Sequence, residues 1–191
     1  RCEPMLTLCR LFLANVVFLP SAGAVSGFAF VLDMNKLFED FLLGTIAKHR
    51  DAILPPELRK CELLPQTAGA VQALAKRESG EAVFRLKPDL AFRDGKSFPA
   101  LADAKYKPLD PSLDDAGVGQ DDFYQAAVYA QRYDTPRVLL LYPQLTAARV
   151  RERFRLDGGR RIEVATVELR NQLWTPDGER RLVDELREIF K

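Results

Sequence analysis

Apolar residues recur along this chain at two spacings, one typical of helices and the other of strands. Helical spacing starts behind Asp33, a residue type that caps helices, and predicts a helix that ends before Pro55-Pro56. Apolar positions three and four residues apart predict that one face of this helix is buried. These positions are Met34, Leu37, Phe38, Phe41, Leu42 and Ile46.

Further helices are predicted in the rest of the chain. A short one is expected over residues 70–77, and a longer one begins near residue 121 or 122 and ends near Arg132. The last helix begins at Pro176, directly behind the cap residue Thr175. Its apolar face consists of Leu182, Val183, Leu186, Ile189 and Phe190.

Strand-like segments lie between these helices. Residues 60–66 predict a strand, and the continuous apolar run at residues 137–142 is typical of the interior of a sheet. Arginine occupies every second position from residue 149 to residue 155, with Val150, Phe154 and Leu156 on the opposite face, which indicates a strand with two different faces. After a turn at residues 157–159, its hairpin partner is expected within residues 160–169.

The strongest strand signal is a hairpin around Arg93-Asp94-Gly95-Lys96, because Asp-Gly between apolar runs is typical of a tight turn. With the turn centred near residue 95 or 96, Asp89 and Asp103 lie nearly opposite each other. Cross-strand neighbours are about 5 Å apart, so both carboxylates can reach one cation. Alternation of side chains places Asp103, Lys105 and Lys107 on the same face of their strand.

This arrangement predicts a magnesium-dependent phosphodiesterase, in which Mn²⁺ could substitute for Mg²⁺. Mg²⁺ takes oxygen ligands, commonly one or two carboxylates together with water and substrate phosphate. An ammonium group such as that of Lys105 can orient the attacking water and offset negative charge. The alternative is that Asp89 caps a turn while Asp103 and Lys105 form a surface pair. The order Pro88-Asp89, hairpin, Asp-x-Lys favours the catalytic interpretation.

The pattern resembles the PD-(D/E)xK nuclease superfamily, and closer matches surround it. Residues 31–41 (VLDMNKLFEDF) are similar to the DMNxLFE helix of the McrC family, the nuclease subunits of modified-cytosine-dependent restriction systems. Residues 122–130 (DFYQAAVYA) resemble the D-x-Y-Q-x-x-x-Y-A helix of the same family. The resemblance covers about residues 28–145 and departs from the family at no catalytic position.

The resemblance implies a fold and a set of site residues. The fold is α/β and restriction-endonuclease-like, with helices flanking a central mixed sheet that carries the hairpin at its middle, in one domain spanning residues 1–191. The implied metal ligands are Asp89, Asp103 and Glu39, aided by the carbonyl of Ala104. Lys105 would position the water. Gln125 and Tyr129, four residues apart on one helix face, would orient Lys105 or the phosphate.

The resemblance also implies a function and partners. It predicts a Mg²⁺-dependent DNA endonuclease that leaves 5′-phosphate and 3′-hydroxyl ends. In such systems a GTP-hydrolysing AAA+ ring, the McrB partner, reads modified cytosine and moves the DNA. Since the chain opens on Arg1, we expect a fragment that lacks the ring-binding N-terminal part of the family. Two alternatives stay open: a stand-alone nuclease such as a RecB-type exonuclease, and a catalytically inactive nuclease fold that serves as an interaction module.

Composition narrows the partners and the compartment. The formal net charge is +1, so a nucleic-acid surface must be local. The predicted DNA contacts are Lys107, Arg149, Arg151, Arg153 and Arg155. A solubilising outer face is the alternative for the arginines. Three cysteines without a Cys-x-x-Cys pair indicate reduced thiols, a cytoplasmic protein and no zinc site.

The uncharged stretch at residues 11–32 resembles a secretory signal. Pro20, Gly23 and Gly27 interrupt it well short of the roughly 18 apolar residues that a membrane span needs. We therefore predict no membrane association, a helix over residues 4–17 and a strand over residues 28–32.

Overall fold

The computed structural model of the protein describes residues 32–66 and 70–191. The helix predicted at residues 4–17 lies outside the described residues, as does the strand predicted at residues 28–32 except for Leu32, which has no regular secondary structure. The chain divides into two compact units at Leu37, within the first described helix. In the part of the chain that the structure describes, no helix is long and apolar enough to cross a membrane.

The two described ranges contain five α-helices, one 3-10 turn (Asp157–Gly159) and eight strands. The helices are α1 (Met34–Lys48), α2 (Arg50–Ile53), α3 (Pro56–Arg59), α4 (Gln120–Arg132) and α5 (Pro176–Phe190). The strands are β1 (Glu62–Pro65), β2 (Gln72–Lys76), β3 (Ala82–Leu86), β4 (Leu90–Asp94), β5 (Ser97–Ala104), β6 (Arg137–Pro143), β7 (Arg151–Arg155) and β8 (Arg161–Val167).

Six of the strands form a mixed sheet in the order β1-β4-β5-β6-β8-β7. Strands β5, β6 and β8 are parallel to one another, whereas β1, β4 and β7 run antiparallel to their neighbours. Every residue of β6 is buried, which confirms the predicted interior strand. The predicted α/β architecture with a central mixed sheet is therefore confirmed.

Helices cover both faces of this sheet. On one face, Phe38, Leu42 and Ile46 of α1 share a core with the apolar side of α5. On the other face, Ala126 and Tyr129 of α4 pack in a second core with alternate residues of the same strands. In residues 90–92 of β4 and 100–104 of β5, the apolar residues of even number belong to the first core and those of odd number to the second, as strand alternation requires.

The buried stripe of α1 is shorter than predicted. Asp33 caps the helix as expected, because its Oδ1 accepts a hydrogen bond from the backbone N–H of Lys36 at 3.1 Å. Phe38, Leu42 and Ile46 are buried, but the expectation for Met34 and Leu37 was wrong: they are 37% and 48% exposed. Helical spacing identifies a face of the helix, whereas the core of the second unit begins only at Phe38.

The predicted short helix at residues 70–77 is also wrong, because the segment contains strand β2. Alanine, leucine and lysine are good helix formers, so local propensity favours a helix here. The segment instead pairs antiparallel with β3 in a separate two-stranded sheet, with Ala73 opposite Arg85 and Lys76 opposite Ala82. Pairing with the strand that follows it in a hairpin has overridden the local preference.

A buried ion pair joins the centre of the sheet to the end of α5. Arg137 Nε lies 2.9 Å from Glu163 Oε1, and Nη2 donates to Glu163 Oε2 at 2.9 Å. The same guanidinium donates to the carbonyl oxygens of Ile189 and Phe190. Arg137 thus satisfies both a buried carboxylate and the last carbonyls of the helix.

We expect Arg137→Ala to lower the free energy of unfolding by about 3 kcal/mol, since it leaves the Glu163 carboxylate buried with weaker partners. Urea denaturation followed by circular dichroism measures this loss. The exposed Arg180 of α5 provides the control, because Arg180→Ala removes only a surface pair and should change stability by less than about 0.5 kcal/mol. Equal effects of the two changes would contradict a structural role for Arg137.

Candidate active site

The β4–β5 hairpin brings two aspartates together at the end of the sheet where β4 begins and β5 ends. Asp94 pairs with Ser97 across the turn, where Gly95 adopts a φ of +62°. At the other end the register reaches Leu90 opposite Ala102, so that Asp89 and Asp103 occupy the next facing positions. The carboxylates are therefore neighbours, as the sequence register predicts.

Both aspartates are buried. Asp89 is 6% and Asp103 2% exposed. Asp89 Oδ2 accepts a hydrogen bond from the backbone N–H of Ala104 at 2.8 Å, which ties it to β5. Its Oδ1 accepts from Gln66 Nε2 at 3.0 Å. The Ala104 group that contacts Asp89 is thus the amide rather than the carbonyl.

Lys105 connects this pair to α4. Its Nζ forms an ion pair with Asp103 Oδ2 and donates to Gln125 Oε1 at 3.0 Å. Gln125 Nε2 in turn donates to the hydroxyl of Tyr129 at 2.8 Å. The two helix residues lie one turn apart and face the strand. The structure therefore brings Asp103, Lys105, Gln125 and Tyr129 into one hydrogen-bonded chain.

Glu39 reaches the same site from α1. Its side chain is buried, and its charge contributes to the raised pKa of Asp89. The structure thus places all six predicted catalytic residues at this end of the sheet.

Burial and mutual repulsion shift the protonation of the aspartates. Burial, followed by the charge of Asp103, raises the pKa of Asp89 to about 7, although the amide of Ala104 counteracts the shift. Burial also raises the pKa of Asp103, against the opposing charge of Lys105. Burial is the largest cause of both shifts, so a cation bound between these two carboxyl groups would favour their ionised forms.

Lys105 and Tyr129 keep their protons. Burial alone lowers the pKa of Lys105, but the charge and hydrogen bond of Asp103, with the charge of Asp89, outweigh it and hold that pKa above its ordinary value. Burial and the charges of Asp103 and Asp89 raise the pKa of Tyr129. Lys105 is therefore a cation and Tyr129 a neutral hydroxyl at neutral pH.

Two residues of this region did not stand out in the sequence. Gln66 holds Asp89, but its contact depends on the pairing of Pro65 with Leu90 between β1 and β4. Asp122 is buried in the first turn of α4, where its Oδ2 accepts from Tyr142 at 2.9 Å and pairs with Lys107 Nζ at 2.8 Å. Only its place in the DFYQAAVYA segment could have identified it.

The arginines of β7 lie elsewhere. Arg151 and Arg153 are opposite Ala165 and Glu163 of β8, on the sheet face that α5 covers, whereas Asp103 is on the α4 face. Buried carboxylates partly neutralise these arginines. Glu185 pairs with Arg149 and Arg151, and Glu163 pairs with Arg153 at 3.7 Å. The structure thus places the four arginines Arg149, Arg151, Arg153 and Arg155 away from the carboxylate pair. DNA binding by these arginines stays a prediction.

The charges of the site fit a divalent cation. The site contains four carboxylates and only two ammonium groups. The carboxylates are those of Glu39, Asp89, Asp103 and Asp122, and the ammonium groups are those of Lys105 and Lys107. Among the described residues, no three His, Cys, Asp or Glu side chains form a complete metal cluster. A cation between Asp89 and Asp103 would therefore need further oxygen ligands from water or substrate, which is usual for Mg²⁺.

Two comparisons with known proteins found similarity. A family model described as "McrBC 5-methylcytosine restriction system component" matches residues 1–143. The chain is also similar to a solved structure of Thermococcus gammatolerans McrB AAA+ hexamers with bound McrC, with a TM-score of 0.59 and 20% identity over 85% of this chain. The match covers 34% of that solved chain, and at this identity it shows a shared fold alone. No curated protein sequence matches.

Proposed function

Since this chain belongs to the family of McrBC 5-methylcytosine restriction system components, we propose that it carries the DNA-cleaving site of such a system. The observation that supports the proposal is the buried pair Asp89 and Asp103 with the Lys105 ammonium bound to it. Two carboxylates can bind the metal ion that activates water for phosphodiester hydrolysis, and an adjacent ammonium can stabilise the developing negative charge.

The residues present fit a magnesium ion. Asp89 and Asp103 would hold it, and Glu39 would support its shell of water. When bound, Mg²⁺ supplies a water of lowered pKa and neutralises charge on the phosphate. Mn²⁺ offers the same ligand preference and is expected to substitute.

Lys105 acts as a cation in this proposal. The neighbouring carboxylates hold the pKa of Lys105 above its ordinary value, which favours a cation over a general base, so its Nζ would orient the attacking water and stabilise charge on the phosphate oxygens. Gln125 fixes the Nζ position, and the Tyr129 hydroxyl fixes Gln125. Attack of water on phosphorus breaks the bond to the 3′ oxygen, leaving a 3′-hydroxyl and a 5′-phosphate.

The finer fold assignment follows from the same elements. We infer a PD-(D/E)xK nuclease fold because an antiparallel hairpin carries the acidic residues and its second strand pairs parallel with β6. A helix behind the sheet edge supplies Glu39, and α4 supplies Gln125. These are the positions that the superfamily resemblance assigns to its site residues.

The partners follow from the family. The similar solved structure contains McrB AAA+ hexamers with bound McrC. We infer that a GTP-hydrolysing, McrB-like ring delivers DNA to this chain in the cytoplasm, where the buried Cys61 thiol would stay reduced. The ring, rather than this chain, would recognise modified cytosine.

We expect the chain alone to cut DNA weakly at physiological salt, because few phosphates can be neutralised by a protein whose net charge is +1. The measurement is cleavage of a plasmid carrying 5-methylcytosine, with Mg²⁺, by the 191-residue chain and by the full-length protein with its ring partner and GTP. Only the complete assembly should cut rapidly.

Other outcomes would favour other functions. Rapid cutting of unmodified circular plasmid by the chain alone would favour a stand-alone endonuclease, and cutting of linear DNA only would favour an exonuclease. An assembly that binds DNA and hydrolyses GTP but never cuts would favour an inactive interaction module.

A further inference from the structure

The β2–β3 hairpin spans residues 72–86 and lies in the chain between two residues of the candidate active site, Gln66 and Asp89. Strands β1 and β4 pair antiparallel as far as Pro65 opposite Leu90. Directly beyond this pair, Gln66 holds the Asp89 carboxylate at 3.0 Å. The segment between these two residues contains the hairpin, so the chain enters and leaves this segment beside the carboxylate pair.

The base of the hairpin is fixed on α4. The Tyr133 hydroxyl lies within hydrogen-bonding distance of the backbone carbonyls of Ala70 and Leu86. Arg132 Nε donates to the Ala73 carbonyl at 3.1 Å. The remainder is exposed, since every residue from Leu74 to Ala82 presents its side chain to solvent. The hairpin is thus a projection with an anchored base.

Phe84 is held in an unusual state on this projection. Its φ is +53°, a left-handed conformation that bulky side chains rarely adopt, and its side chain is 74% exposed. It faces Leu74, also exposed, while regular pairing continues on both sides. Neither burial nor backbone preference accounts for a phenylalanine here, and such strained, exposed residues cluster at binding sites.

The charges around Phe84 are mainly positive. Within residues 72–87, which comprise the hairpin and the residue after it, exposed basic side chains outnumber acidic ones by two. They are Lys76, Arg77, Arg85 and Lys87 against Glu78 and Glu81. This excess exceeds the net charge of +1 for the whole chain, so the hairpin is a local basic surface.

We propose that the β2–β3 hairpin binds duplex DNA beside the phosphodiester that is cleaved, with its basic side chains on phosphates and Phe84 against the sugars and base edges. The inference rests on the proposed function, which requires a phosphodiester at Asp89 and Asp103. Phe84 lies five residues before Asp89. That separation spans at most about 17 Å, or roughly half a turn of B-DNA.

Proximity and charge together select DNA as the occupant. A duplex held at the carboxylate pair must continue past Lys87, because this residue is exposed two residues before Asp89. Its phosphates match the positive excess of the hairpin. An exposed apolar side chain between basic ones is the arrangement with which proteins enter a minor groove.

The test measures binding of a fluorescein-labelled 30-base-pair duplex by the full-length protein, using anisotropy with Ca²⁺ in place of Mg²⁺. We expect the double change Lys76→Gln and Arg85→Gln to raise the Kd about tenfold and to reduce the slope of log Kd against log salt by about two. Phe84→Asn, which suits a positive φ, should weaken binding without changing the slope.

Lys96→Gln with Arg180→Gln is the matched control. It removes the same charge from the far turn of the β4–β5 hairpin and from α5, and it should bind DNA with the wild-type Kd. Circular dichroism checks that each variant is folded.

Three results would overturn the inference in distinguishable ways. If the hairpin variants bind DNA like the control while Asp103→Asn still abolishes cleavage, the inference fails and the proposed function stands. If they keep their DNA affinity but lose association with the AAA+ ring in size-exclusion chromatography, the hairpin binds protein instead. If the wild-type assembly neither binds nor cuts methylated duplex, the proposed function itself fails.

Discussion

Replacing Asp103 by asparagine is expected to reduce DNA cleavage by the assembled complex about a thousandfold. Asparagine keeps the volume of the side chain but removes the charge that attracts the cation and holds the Lys105 ammonium. Losing metal-dependent stabilisation of the transition state costs several kcal/mol, and each 1.4 kcal/mol corresponds to about tenfold in rate. The measurement is the initial rate of cleavage of a methylated plasmid with GTP and Mg²⁺.

The fold should survive this change. Asp103 is 2% exposed, and burial disfavours its ionised form, so a neutral side chain of equal size opens no cavity. The free energy of unfolding should stay within about 1 kcal/mol of the wild type. Asp94→Asn, at the exposed turn of the same hairpin, is the control and should cut at the wild-type rate. A wild-type rate for Asp103→Asn would contradict its role as a metal ligand.

Asp89→Asn is expected to make the metal-free protein more stable at neutral and alkaline pH. The pKa of Asp89 is raised from 3.8 to about 7, so the folded protein holds this proton more tightly than the unfolded chain. Stability is therefore lost as the pH rises from about 4 to about 7, by at most about 4 kcal/mol. Asparagine carries no charge at any pH and should remove most of this loss.

Urea denaturation in EDTA at pH 5 and pH 8 measures the difference. The wild type should lose stability between these pH values, and Asp89→Asn should lose much less. Millimolar Mg²⁺ at pH 8 should restore the wild type, because a cation favours the ionised carboxylates, but should not stabilise the variant. Equal stabilisation of both proteins by Mg²⁺ would contradict the assignment of Asp89 as a metal ligand.

Local patterns account for what could be predicted about the site. A turn at Gly95 places Asp89 and Asp103 nearly opposite each other, and an irregularity between Phe92 and Asp94 shifts the pairing by one residue, so that the two aspartates face each other. The four-residue spacing of Gln125 and Tyr129 puts them on one helix face. These relations extend over a few residues, so they are visible in the sequence.

Relations that depend on strand order were not predictable. Gln66 reaches Asp89 only because β1 pairs with β4 across the 24 residues between Pro65 and Leu90. The alternation of Arg151 and Arg153 is clear in the sequence, but the face of the sheet that they occupy depends on the order β6-β8-β7. Residues 72–76 form a strand because they pair with the next segment, β3, although their residue types favour a helix.

Helix α4 has a mechanical consequence for the whole catalytic edge. Gln125, in the middle of the helix, accepts a hydrogen bond from Lys105, and Tyr133, directly after the last helical residue, holds the base of the β2–β3 hairpin. Eight residues of helix form a strut of about 12 Å between these points. One residue inserted between them would rotate Tyr133 by about 100° about the helix axis relative to Gln125. The helix therefore couples the position of Lys105 to the position of the hairpin base.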